Sequence, residues 1–294
     1  MISKISLGTA QFGMDYGITN SDGKPSLDKA RGIIKKAKSL GIKNIDTASV
    51  YGTSETILGE IGVKDFNLTT KIPSIPSEER DIRGYINNVI KESLSKLKIN
   101  NFHAVLLHDA KQLEDNEMAK DIHAALMKLK QSGLTKKIGI SIYDPDKLSK
   151  IDSIKDYDVI QCPYNLFDRR LNSSGWMSKL KDFGIEIQIR SIFLQGLLLS
   201  DPTNLPVNFN KWKNLWNDLD LWLQDNNLSS LEACLNFAFK LNSVDSVVLG
   251  VDSEEHLDEI AKNLSINDYI YPDMIFSNDL NLINPVNWKN IEKK

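Results

Sequence analysis

Asp46, Tyr51, Lys71 and His108 stand where three short apolar runs end. IKNID (42–46) closes on the acid, and the phenol follows five residues later; FNLTTK (66–71) closes on the amine and AVLLH (104–108) on the imidazole. Such a set suits proton delivery to a carbonyl oxygen. A free phenol, with a pKa near ~10, is a slow acid–base at neutral pH, and a neighbouring ammonium favours the phenolate and lowers that value. Lys71 is the candidate for that charge, Asp46 for holding Lys71 in place, and His108 for orienting the carbonyl or sharing the proton. Neither phenol nor imidazole moves a hydride, so a redox role requires a cofactor. Taken singly, each residue has an ordinary reading: a helix cap, a turn aromatic beside Gly52, a surface ammonium, a satisfied core histidine. Their coincidence at successive strand ends argues for a site. His103, His123 and His256 read as structural or exposed.

The elements that must position this set alternate along the chain. ISLGT (5–9), the three runs above, KIGIS (137–141), DVIQ (158–161), IEIQIR (185–190) and SVVLG (246–250) read as eight strands. Between them lie helical patterns. Ser26 caps the first, whose Leu27, Ala30, Ile33, Ile34, Ala37 and Leu40 fall on one face before Gly41. Thr53 opens a short helix with Glu55 in its first turn. Ser77, with Glu78, Glu79 and Asp81, opens a long one striped by Ile82, Tyr85, Ile86, Val89, Ile90, Leu94 and Leu97. Another carries Met118, Ile122, Ala125, Leu126 and Leu129. Eight such units imply a parallel sheet closed into a (β/α)8 barrel, the TIM-barrel architecture, as one domain over 1–294. A long loop (196–212) follows strand seven, and an irregular tail (266–294) ends the chain.

The 294 residues, 41% apolar and 26% charged, describe an ordinary globular chain. A net charge of −3 with both signs mixed gives no basic stripe for nucleic acid and no anionic-membrane partner. No apolar run reaches the ~18–20 residues of a membrane helix, and MISKISLGTA lacks the apolar run of a signal peptide, so a cytoplasmic protein is expected. Cys162 and Cys234 read as buried inert thiols, and no metal site is expected.

The segment IDTASVYGTSETILG (45–59) resembles the aldo-keto reductase signature. TTK (69–71) and LLHD (106–109) are similar to the strands carrying that family's lysine and histidine. The likeness extends from GTAQFG (8–13) through GIS (139–141), QCPYN (161–165) and RSIFLQGLL (190–198) to LGVDSEEHLDEI (249–260), and its opening GTAQFGMDYGI is most like a bacterial branch. The resemblance implies metal-free, NADPH-dependent reduction of an aldehyde or ketone, with Tyr51 as general acid, Lys71 and Asp46 as its tuning pair and His108 orienting the carbonyl. It also implies Gly8 and Thr9 by the nicotinamide, and Ser141 and Gln161 on its carboxamide. Arg190 takes the place of an aromatic that stacks on the ring. Ser191, Phe193, Gln195 and Gly196 follow the pyrophosphate, and the helix start at Gly250, Val251 and Ser253 meets the adenosine end. Glu254 and Glu255 stand where an arginine commonly pairs the 2′-phosphate, so NADP is the default with discrimination against NAD expected only within about tenfold.

Two other functions stay open: a Lys71 Schiff-base aldolase on the same barrel, and a nucleotide-sensing barrel without turnover. A polar, sugar-like carbonyl is expected as substrate, from the polar loop 110–117 and from Trp212, Trp216 and Trp288 as an aromatic wall. The oligomeric state is not readable.

Overall fold

The computed structural model describes residues 1–18, 20 and 23–288. Among these, eight strands are β1 Ile5–Gly8, β2 Asn44–Asp46, β3 Asn67–Ile72, β4 Phe102–Leu107, β5 Thr135–Ser141, β6 Val159–Pro163, β7 Glu186–Arg190 and β8 Ser246–Gly250. All run parallel and close in sequence order, β8 pairing back to β1 through Leu7↔Leu249 and Gly8↔Gly250. The helices are α1 Ala10–Gly13, α2 Leu27–Ser39, α3 Ser54–Ile61, α4 Ile82–Leu97, α5 Asn116–Gln131, α6 Arg170–Ser173, α7 Trp176–Asp182, α8 Lys213–Asp225, α9 Ser230–Phe239, α10 Glu254–Lys262 and α11 Leu280–Ile283. The chain is the (β/α)8 barrel that its alternation implies.

Side chains alternate along each strand. Ile5 and Leu7, Val105 and Leu107, Ile138 and Ile140, and Ile187 and Ile189 belong to the main apolar core between strands and helices. The intervening positions supply buried polar groups, among them Ser6, Thr69, Lys71, Ser141, Gln161 and Gln188, and a separate small cluster of Ala104, Leu106 and Val159. A slip of one residue would turn an apolar set inward and a polar set into the core. Each Ile or Leu contributes roughly 1.5–3 kcal/mol by burial, so the register is firmly held. That register puts Asp46, Lys71 and His108 on the interior-facing series at the same barrel end.

Local chemistry sets the helix starts, and some differ from expectation. Ser26 caps α2 by accepting from the Lys29 amide, as expected. The long helix starts later than Ser77: Asp81 is its cap, accepting from Gly84 N, because its carboxylate lies directly before the apolar stripe. Thr53 makes no capping bond, and its hydroxyl instead accepts from Lys24 Nζ. Glu55 is 3% exposed and accepts from Thr70 Oγ1 at 2.8 Å, so this first-turn acid ties α3 to β3, and burial raises its pKa. The β5–β6 crossover has no α-helix, only 3₁₀ turns at Pro145–Lys150 and Ile154–Asp156.

The segment after β7 is built from 3₁₀ turns at Leu194–Leu199, Pro202–Asn204 and Val207–Trp212, pinned by buried Leu197, Leu198, Leu205 and Phe209. The tail from 266 to 288 packs on this segment through Trp288 against Phe209 and through Asp279, which accepts from the Trp212 indole. Residues 289–294, the end of the expected tail, lie outside the described residues.

Candidate active site

Two glycines seat the phenol. A Cβ on Gly13, at the end of α1, would lie 1.7 Å from the Tyr51 carbonyl oxygen, and one on Gly52 would lie 2.2 Å from the Gly13 oxygen. Gly52 also has φ +54°, a left-handed conformation that glycine adopts without steric cost. The turn holding Tyr51 therefore rests directly on α1, with Thr53 N donating to Gly13 O.

The four side chains converge. Lys71 Nζ donates to Asp46 Oδ1 at 2.5 Å, to Thr47 O at 3.0 Å and to Tyr51 Oη at 3.5 Å, which uses all three ammonium donors. Asp46 Oδ2 accepts from Gln161 Nε2 at 2.7 Å. The His108 ring meets the Tyr51 ring edge-on with centroids 5.9 Å apart. Thr9 anchors the backbone beneath, its hydroxyl donating to Asp46 O.

Electrostatics depart from the simple expectation of a depressed phenol. Burial raises the Tyr51 pKa and the Asp46 charge raises it further, while Arg190 lowers it. Arg190 is the cation that opposes the rise, and it is outweighed by burial and Asp46. Tyr51 thus holds its proton and is a donor at neutral pH. Burial lowers the pKa of Lys71, against the pull of Asp46. Burial, then Lys71 and Arg190, take His108 down to about 3, so its imidazole is neutral. A neutral imidazole and a protonated phenol are both able to donate a hydrogen bond to a carbonyl oxygen.

A cavity of about 640 Å³ opens above this set, lined by Asp46 and Tyr51 and by Gly8, Thr9, Arg190, Ser191, Phe193, Gln195, Gly196, Gly250 and Val251. Three non-glycine residues of its wall segment, Ser191, Leu194 and Gln195, have φ between +48° and +59°. Each such conformation costs on the order of 1–3 kcal/mol and is characteristic of ligand clamps. At Gly250 a Cβ would collide with the Gln11 amide, so glycine keeps that wall open.

Other carried-over positions fall elsewhere. Ser141 and Gln161 are buried beneath the cavity rather than on its wall, and the Gln161 amide is engaged by Asp46 and by Gln188 Oε1 at 3.2 Å. Ser253 caps α10 by accepting from His256 N and does not line the cavity. Glu254 lies against Gly32 of α2, while Asp252 and Glu259 are the acids on the cavity wall at this end. The tryptophans form no wall either: Trp216 and Trp288 are buried, their indoles donating to Leu197 O and to Asn281 and Leu282 O.

Sequence reasoning missed Tyr16, Gln11, His256 and the start of α9, all of which line the cavity. The α9 start was legible: Ser229 and Glu232 form a reciprocal capping box before an apolar run. Its Ser230 and Leu231 face the cavity, at the positive helix end that favours anions. The donor set of hydroxyls, amides and a helix N-terminus, with an open glycine wall, fits a phosphate-bearing dinucleotide.

Comparison with known proteins agrees with this architecture. The profile of the Aldo/keto reductase family matches residues 4–271. The chain is 26% identical over 280 residues to the uncharacterized oxidoreductase YqkF of Bacillus subtilis, covering 88% of this chain and 86% of that one. It is 25% identical to the L-glyceraldehyde 3-phosphate reductase of Escherichia coli K12, covering 82% and 80% respectively. Among solved structures, the holo form of aldo-keto reductase AKR11C1 from Bacillus halodurans superposes with TM-score 0.69 at 21% identity, over 91% of this chain and 88% of that one. That likeness is one of fold.

Proposed function

This chain belongs to the aldo/keto reductase family of NAD(P)H-dependent oxidoreductases, and we propose that it reduces a small polar aldehyde or ketone to the alcohol with Tyr51 as the proton donor. The observation that carries this reading is the buried chain from Gln161 through Asp46 and Lys71 to the Tyr51 hydroxyl, opening into the cavity. The cofactor, NADP by family habit, supplies the hydride when bound. Gly8, Thr9, Arg190, Ser191, Phe193, Gln195, Gly196, Gly250 and Val251 and the start of α9 would hold it. His108 orients the carbonyl oxygen, and Tyr51 gives that oxygen its proton, a role worth ~10²–10⁴-fold. Lys71 and Asp46 stabilise the charge that Tyr51 develops as the proton leaves.

An aldolase fits less well. Lys71 is 1% exposed and its donors are all engaged, so no lone pair is presented to a substrate. A binding-only barrel would leave the polar chain under the phenol without a purpose. We place the enzyme in the cytoplasm; among the described residues no helix is long and apolar enough to cross a membrane. A panel of aldehydes and ketones incubated with 4-deuterated NADPH tests the reading. Deuterium on the carbinol carbon of an alcohol product supports it, and NADPH binding without label transfer to any member overturns it.

A further inference from the structure

We propose that Arg190 makes this cavity select its cofactor by redox state, holding the neutral, reduced nicotinamide ring in preference to the cationic, oxidised one, so that the enzyme loads NADPH and releases NADP+. The proposal rests on the reductase reading of the same cavity.

Arg190 ends β7 and lines the cavity together with Tyr51. A guanidinium stays protonated in proteins. Its position is fixed: Nη2 donates to Ile142 O at 3.0 Å, Nη1 to Ser191 Oγ at 3.3 Å, and its centre lies 4.1 Å from the centroid of the Tyr143 ring. Among the described residues no carboxylate forms an ion pair with Arg190; the phenols of Tyr16, Tyr51 and Tyr143 surround it. The other charges at this end of the barrel cancel or are absent. Lys71 has Asp46 at 2.5 Å and Arg170 has Asp168 at 2.8 Å. Burial holds Tyr51 protonated and His108 neutral. The reacting end of the cavity therefore carries a net positive charge, and it is that of Arg190.

A ring that passes hydride to the carbonyl must approach it to ~3–3.5 Å, at the place where Tyr51 protonates the oxygen. The Arg190 charge reaches that place: it acts on Tyr51, His108 and Lys71 alike. Asp252 and Glu259, the wall acids beyond β8, are not among the main influences on any of the three. The oxidised ring carries a positive charge and the reduced ring none. Like charges sheltered from water repel more strongly than in bulk, and here no carboxylate stands between them. The two forms share their phosphates, riboses and adenine, so contacts to the segment from Ser191 to Gly196 and to the start of α9 cancel in the ratio of affinities. During reduction the ring gains a positive charge as hydride leaves it for the carbonyl carbon. Tyr51 gains a negative one as its proton goes to the oxygen. The total charge facing Arg190 is then unchanged, and the bias acts on loading and release.

Calorimetric titration of NADPH and of NADP+ into the protein, at pH 7 and one salt concentration, tests this. The wild type is expected to bind NADPH at least tenfold more tightly, which raises the potential of the bound two-electron couple by ~30 mV. In Arg190→Gln the ratio falls to about one, whatever the absolute affinities. Arg190→Lys keeps the charge and most of the ratio. Should Arg190→Gln fail to fold, Ser191→Asp sets a carboxylate beside the intact guanidinium and collapses the ratio in its place. A wild-type ratio below tenfold, a ratio that survives in the neutralising variant, or an Arg190→Lys ratio no higher than that of Arg190→Gln overturns the proposal. Equal affinities alongside deuterium transfer to a carbonyl sink this proposal and leave the reductase reading standing. Binding of neither form sinks both.

Discussion

Replacing Gly13 by alanine is expected to disable the enzyme without touching a reacting group. The added Cβ would stand 1.7 Å from the Tyr51 carbonyl oxygen and 2.5 Å from Ser54 N, whereas ordinary contact begins at 3.4 Å. Both obstacles are backbone, so no flexible side chain can yield, and the Tyr51 turn must retreat by roughly 1.5 Å. Misplacement of a catalytic group by ~1 Å can cost ~10²-fold, and overpacking of this kind costs about 1–3 kcal/mol. Gly13→Ala should lower kcat at least tenfold and lower the urea midpoint. Gly133→Ala is the control: with φ +74° and nothing within 4 Å, it carries backbone strain but no collision. It lies after α5, away from the cavity, so it should cost stability while sparing kcat. Steady-state NADPH consumption and urea unfolding of both variants decide. A Gly13→Ala enzyme with more than half the wild-type kcat would refute the claim that this contact seats the phenol.

Stability should carry the signature of His108. Its pKa in the folded chain is about 3, against ~6.5 when unfolded. The unfolded chain therefore binds an extra proton between these values, and stability is lost as pH falls through 6.5 towards 3, by up to ~1.4 kcal/mol per pH unit. The loss between pH 7.5 and 5 should be smaller in His108→Gln, on the order of 1–2 kcal/mol; equal losses in the two proteins would contradict the depressed value. Cofactor choice should be loose, with NADPH and NADH affinities within about tenfold. The acids of the wall there, Asp252 and Glu259, suit a ribose diol better than a 2′-phosphate. Glu259→Arg should raise the NADPH preference, and a hundredfold preference in the wild type would place the adenosine end elsewhere.

The positions of Asp46, Lys71 and His108 were legible because period-two apolar runs with clear breaks specify strand ends and facing. The (β/α)8 closure followed from counting those runs. Contacts between segments distant in sequence were not legible. Nothing local marks Gly13 as the floor of the Tyr51 turn, or assigns the Gln161 amide to Asp46 rather than to a ligand. Trp216 and Trp288 looked like a binding wall because an irregular segment has no period to reveal which side is buried. The start of α4 went to Ser77 because several polar residues precede Ile82 and any could cap. The rise of the phenol pKa depends on the balance of burial, Asp46 and Arg190, a three-dimensional sum that spacing along the chain does not contain.

The most direct measurement is the kcat of Tyr51→Phe for carbonyl reduction, taken alongside its NADPH dissociation constant. The substitution removes the phenolic hydroxyl and keeps the ring that packs edge-on to His108. With Tyr51 as the proton donor, kcat falls ~10²–10⁴-fold while NADPH binds within about threefold of wild type. A variant that retains more than about a tenth of wild-type kcat would contradict the assignment of Tyr51 as the acid.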